Sequence, residues 1–76
     1  MPMASLRVGF GRAVRRIRKA AGYSQESLAH ACHLNRTYMG LVERGEATIS
    51  LDNIEKIAKV LHIKISDLVA HAERER

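Results

Sequence analysis

The chain has 76 residues, with thirteen Lys and Arg against eight Asp and Glu, a formal net charge of +5 and one cysteine. That length allows one domain, residues 1–76, which buries only about two-thirds of its unfolded surface and is expected to be worth about 4–11 kcal/mol, so loss of one core side chain or of a partner subunit would matter. A lone cysteine excludes an intrachain disulfide, no eighteen apolar residues run together to span a membrane, and the opening Met-Pro-Met-Ala-Ser-Leu-Arg lacks the apolar stretch of a secretory signal; the expected compartment is the cytoplasm.

Helix formers dominate, no alternating strand pattern is visible, and an all-α domain is predicted. The first helix runs from about Leu6 to Ala21, with Phe10, Val14, Ile17 and Ala21 on one face and Arg12, Arg15, Arg16 and Lys19 on another. Gly22 ends it. Arg7, Arg12, Arg15, Arg16, Arg18 and Lys19 all precede the first acidic residue, Glu26, which points to an anionic partner for this half of the chain. A charged row on an amphipathic helix is more often only its solvated face, so direct phosphate contact by any one of these side chains is the lesser expectation.

Three later helix starts share one device: an apolar residue, a capping Ser or Asn, and a second apolar residue four positions inside the helix. They are Tyr23-Ser24-Leu28, Leu34-Asn35-Met39 and Ile49-Ser50-Ile54. The cap satisfies a free backbone N–H, worth about 1 kcal/mol, and the flanking pair fixes the angle at which the chain enters the helix.

Between Gln25 and Arg44, Leu28 and Cys32 mark the inner face of a second helix, Met39 and Val42 that of a third, and Leu34 fills the corner between them. Asn35, Arg36, Thr37, Gly40, Leu41 and Arg44 stay outside. An outer face that begins with Arg and Thr on a basic domain suits the major groove of DNA. The third helix stops at Gly45. A fourth spans about Leu51 to Leu61, with Leu51, Ile54, Ile57, Ala58 and Leu61 inward, and a fifth begins near Lys64 to Ser66 and carries Ile65, Leu68 and Val69. The tail Glu73-Arg74-Glu75-Arg76 is expected to fray, as is the N terminus.

The segments F-G-R-A-V-R-R-I-R-K-A-A-G-Y-S-Q-E-S-L-A, N-R-T-Y-M-G-L-V-E-R-G and I-S-L-D-N-I-E-K-I-A-K-V-L make residues 9 to 70 resemble the Cro/repressor type of helix-turn-helix domain, the XRE family. The resemblance implies a compact five-helix, lambda-repressor-like domain that binds double-stranded DNA at operators as a homodimer and regulates transcription. N-R-T-Y followed by V-E-R-G and I-S-L is similar to the small controller proteins of restriction-modification systems, which implies control of its own promoter. Antitoxins of the same fold carry nearly the same strings, and a protein-interaction module of that kind is the alternative. Where the family usually has glycine, this chain has His33 and His62, both expected at positive φ. Its usual basic or Asn residues after the third helix are replaced by Glu46-Ala47, which removes expected phosphate contacts.

Arg36, in the first turn of the third helix, is the first choice for base readout, since a guanidinium can bond guanine O6 and N7 together. Thr37 offers a methyl or a hydroxyl to a base edge, Leu41 adds apolar contact one turn on, and Gly40 lets the helix lie close to the groove. The backbone-positioning set is Ser24 and Gln25 at the start of the second helix, with Asn35, Arg44 and Thr48. Tyr38 joins it through the resemblance, or is a partly buried spacer. The dimer interface is expected on the C-terminal segment, at Leu61, Ile63, Ile65, Leu68 and Val69, placing two recognition helices about 34 Å apart on a pseudo-palindromic operator.

Blander roles are expected for the remainder. Glu43 pairs with an arginine of the first helix such as Arg12 or Arg16, and Cys32 is a small core hydrophobe. His30-x-Cys32-His33 does not converge on a metal and no second ligand pair exists, so no metal or other cofactor is expected. No nucleophile with a base and an orienting group, no phosphate-cradling glycine loop and no small-molecule ligand site is evident, so the chain does not read as an enzyme. Nor is a membrane surface expected as a partner, because the apolar stripe of the first helix is needed in the core.

Overall fold

The computed structural model describes residues 4–76, and the expectation of a frayed N terminus falls partly outside them, on residues 1–3. Five helices follow in order, α1 (Leu6–Ala20), α2 (Gln25–Ala31), α3 (Arg36–Glu43), α4 (Leu51–Val60) and α5 (Ile65–Arg74), with no strand among the described residues. The capping residues are the expected ones. Ser24 Oγ accepts from the Ser27 amide at 3.0 Å while Ser27 Oγ accepts from the Ser24 amide at 2.9 Å, a reciprocal box in which Ser replaces the usual Glu or Gln. Asn35 Oδ1 accepts from the Thr37 and Tyr38 amides at 2.7 and 3.3 Å, and Ser50 Oγ from the Asn53 amide at 3.1 Å. Ser5 caps α1 in the same way, whereas Lys64 makes no side-chain cap at α5.

The first four helices close alike. In each, the chain passes through a left-handed residue and the next amide turns back to a carbonyl five positions earlier: Tyr23 to Arg18, Leu34 to Ala29, Glu46 to Leu41 and Ile63 to Ala58, at 2.9–3.0 Å. The left-handed residues are Gly22, His33, Gly45 and His62, with φ of 85, 56, 72 and 54°. His33 and His62 thus take the positive φ expected of them, because the closing hydrogen bonds outweigh the steric cost of a Cβ there.

One cluster of buried side chains draws on all five helices, centred on Val14, Leu28, Met39, Ile57 and Leu68, each fully buried. Leu28, Cys32, Met39 and Val42 point inward as their spacing predicts, with Leu34 partly buried against the same cluster. Helix α1 is the hub and packs on α5 and α3. Gly9 and Gly11 allow that approach: a Cβ on Gly9 would run into the Ala72 carbonyl, and one on Gly11 would sit 2.7 Å from the carbonyl carbon of Glu43. Gly11→Ala is therefore expected to push α1 off α3 and cost about 1–3 kcal/mol or more, read as a lowered urea midpoint with an unchanged m value.

Four expectations are corrected. Ala21 lies beyond the last residue of α1 and is exposed rather than inward. Leu51 is 80 % exposed, since the first turn of α4 projects past the packed core and the inner stripe begins at Ile54. The C-terminal tail, expected loose, is helical and bonded to α1 and to Ala4. Helix α5 continues to Arg74, Arg16 Nη2 donates to Glu75 Oε2 at 2.7 Å, Arg12 Nη1 to the Glu75 carbonyl at 3.2 Å, and Arg76 Nε to the Ala4 carbonyl at 3.0 Å. The Arg16 hydrogen bond holds the Glu75 carboxyl below the usual carboxylate range and raises the guanidinium's own pKa. Finally, Glu43 does pair with an arginine of α1, but with Arg18, since Arg12 and Arg16 are engaged by Glu75 on another face of that helix.

Candidate nucleic-acid interface

Helices α2 and α3 pack against each other across the His33 turn, and the start of α2 lies beside the outer face of α3. Gln25, Arg36, Thr37, Gly40 and Arg44 together line a shallow cleft of about 160 Å³. Asn35, Arg36, Thr37 and Arg44 are exposed, Leu41 is half-buried and Gly40 is buried. A Cβ on Gly40 would stand 3.2 Å from Arg44 Nη1 and 3.4 Å from Gln25 Oε1, so its missing side chain makes room for those two long ones to cross the helix.

Beneath the cleft runs a buried polar network that the pattern of charges did not reveal. Arg18 grips Glu43 with two parallel bonds, Nε to Oε2 at 2.7 Å and Nη2 to Oε1 at 3.0 Å, and its Nη1 donates to the Tyr23 carbonyl at 3.0 Å. Gln25 Nε2 donates to Glu43 Oε1 at 3.2 Å. A carboxylate can only accept, so this bond fixes which way the Gln25 amide faces. The Arg18 and Glu43 side chains are 9 and 4 % exposed, and no buried side-chain polar atom among the described residues lacks a partner. The signal was present in the spacing: Arg18 is four residues from Val14 and Glu43 four from Met39, so opposite charges occupy inward positions on two helices.

Around this centre the other site candidates divide. Ser24 Oγ is engaged in the α2 cap and the Asn35 carboxamide in the α3 cap. Tyr38 is half-buried; its hydroxyl donates to the Thr48 carbonyl at 3.5 Å and accepts from Asn53 Nδ2 at 3.2 Å, tying α3 to the following loop and to α4. Arg44 Nε donates to Glu46 Oε2 at 3.1 Å, a contact absent from the sequence expectations. Leu61 and Leu68 lie in the protomer's own core, Leu68 with no exposed surface, whereas Ile63 and Val69 are half-buried and Ile65 is 41 % exposed. Cys32 is buried with its Sγ 3.8 Å from the Lys56 carbonyl, and burial pushes its thiol pKa up, away from nucleophilic use. No cluster among the described residues could hold a metal, and no described helix is long and apolar enough to cross a membrane.

A short α2, a tight turn and a solvent-facing α3 framed by three further helices define a helix-turn-helix domain. A family model described as helix-turn-helix matches residues 14–68, and the chain belongs to that family. It is 48 % identical over 66 residues to the control protein C.BamHI of Bacillus amyloliquefaciens, covering 86 % of this chain and 82 % of that one. Among solved structures, the restriction-modification controller protein C.AhdI from Aeromonas hydrophila superposes with a TM-score of 0.79 at 47 % identity, over 82 % of this chain and 94 % of that one. C.Esp1396I bound to a 25 base pair operator site superposes with a TM-score of 0.81 at 26 % identity, over 96 % of each chain. The chain is thus related to restriction-modification controller proteins and to XRE-family regulators, and its family is one of regulators rather than enzymes.

Proposed function

We propose that this chain is a sequence-specific double-stranded DNA-binding regulator of transcription that acts as a homodimer on a pseudo-palindromic operator. The observation that carries the reading is the exposed pair Arg36 and Thr37 at the open N-terminal end of α3, beside a cleft walled by Gln25 and Arg44. Arg36, Thr37 and Leu41 read base edges, with Gly40 keeping the helix surface low between them. Gln25 and Arg44 position the DNA backbone, helped by Ser24, Asn35, Tyr38 and Thr48. The likeness to a controller solved on its operator supports the same reading.

Dimerisation uses what the protomer leaves uncovered at its C-terminal end. Leu51 and Ile65 are exposed, Ile63 and Val69 half-buried, and Ile54 and Val69 help line an apolar groove of about 280 Å³ between α1, α4 and α5. Leu51 with Ile54 and Ile65 with Val69 are helical neighbours, so the exposed residues adjoin the groove. In a 76-residue chain that surface is a large reserve of burial. Control of its own promoter is part of the same proposal, and the likeness to a control protein supports it.

Selection of bound fragments from random duplexes, followed by titration at several salt concentrations, tests the function. Enrichment of a two-fold-related sequence, with log K falling linearly against log salt, is expected. Salt-insensitive or absent association with every duplex would overturn the reading. Sedimentation at micromolar concentration is expected to give dimers, and Ile65→Asp to give monomers that remain folded. A wild-type protein found only as monomers would remove the dimer.

A further inference from the structure

We propose that Glu46 is an intramolecular competitor of the DNA backbone for Arg44, setting how tightly the domain holds any duplex without changing which sequence it prefers. The proposal rests on the DNA-binding reading above. Arg44 is the residue that ends α3, it lines the cleft, and its Nη1 lies over Gly40. Its Nε is taken by Glu46 Oε2 at 3.1 Å.

Two features make this more than a chance surface contact. The backbone of Glu46 is held by the closing bonds of α3, Glu46 amide to Leu41 carbonyl at 2.9 Å and Gly45 amide to Val42 carbonyl at 3.0 Å, around Gly45 at φ 72°. That turn is wedged against α1, since a Cβ on Gly45 would stand 2.6 Å from Val8 Cγ2. The backbone that carries the carboxylate is therefore fixed beside Arg44. The two side chains are also 58 and 56 % exposed, so the pair adds little to folding and is open to exchange.

A carboxylate and a phosphate offer a guanidinium the same two-oxygen acceptor edge. The Nε edge of Arg44 cannot hold both, so a backbone phosphate seated there displaces Glu46 and leaves that carboxylate beside a polyanion. Breaking the pair therefore lowers affinity for any duplex, while Arg44 still neutralises one phosphate in the bound state. Because phosphate contacts carry no base information, the effect is the same for every sequence.

The test uses the full chain with Glu46→Gln, Arg44→Ala and the double variant, each titrated by fluorescence anisotropy against the selected duplex and an unrelated one. Glu46→Gln is expected to tighten both duplexes about two- to fivefold at low salt. The slope of log K on log salt, the selected sequence and the thermal midpoint should all stay unchanged, since Arg44 holds the same phosphate in both proteins. In the Arg44→Ala background the gain should vanish. An unchanged affinity in Glu46→Gln overturns the proposal, as does a gain that persists without Arg44, which would mean that the carboxylate merely repels DNA at a distance. If the wild-type chain binds no duplex, the DNA-binding reading falls and this proposal with it; if it binds with normal salt dependence and ignores Glu46→Gln, only the proposal falls.

Discussion

Glu43→Ala is expected to remove about 3–5 kcal/mol of folding stability, a large share of the roughly 4–11 kcal/mol that a chain of this length commands. The cost comes less from the lost attraction than from what stays behind. Arg18, with its side chain 9 % exposed, would keep a full charge with only the Tyr23 carbonyl at 3.0 Å to answer it. Gln25 would at the same time lose the acceptor that sets its orientation. Urea denaturation is the measurement, and a loss below about 1 kcal/mol would show that the pair does not tie α1 to α3. The companion variant Arg18→Met with Glu43→Leu separates the two contributions, because it removes both charges together. Most of the stability should return, while the Tyr23 carbonyl and the Gln25 amide remain short of partners and keep the recovery incomplete.

That network also marks the boundary of what local pattern reveals in this chain. Helix starts were legible because Ser24, Asn35 and Ser50 each act two or three residues on from themselves, and the core because Leu28 with Cys32, Met39 with Val42 and Ile54 with Ile57 stand at helical spacing. The positive φ at His33 and His62 followed from the family resemblance and not from residue type. Leu51 fits the apolar stripe of α4 by position and still lies outside, since periodicity gives a direction around the helix axis and says nothing of where neighbouring helices end. The arginines of α1 divide three ways, two of them on partners distant in sequence: Arg12 and Arg16 hold Glu75, Arg18 holds Glu43, and Arg7 and Arg15 are exposed. Of the candidate site, the face of α3 was legible because exposure follows from the inward positions of its neighbours. The claim of Glu46 on Arg44 was not, because it depends on a left-handed turn folding the chain back on itself.

Arg36→Ala should have the largest effect on recognition, weakening the selected duplex by about 1–3 kcal/mol, or roughly five- to 150-fold, and relaxing choice at one position of each half-site. Arg36 is exposed at the first residue of α3, and its neighbour Asn35 spends its carboxamide on the helix cap, so the guanidinium stands clear of the fold with no described carboxylate bonded to it. A residue placed in this way loses nothing structural on truncation, and the urea midpoint should not move. Arg44→Ala provides the contrast. It removes a charge from the same cleft, yet it should weaken selected and unrelated duplexes alike and lower the salt slope by about one. Repeating the selection with each variant distinguishes base readout from backbone grip. An Arg36→Ala protein that enriches the unchanged sequence would move Arg36 to the backbone set and leave Thr37 and Leu41 as the base-reading residues. The proposed dimer would present Arg36 twice and relax a symmetric pair of positions, so one selection experiment reports on the readout residue and on the two-fold arrangement together.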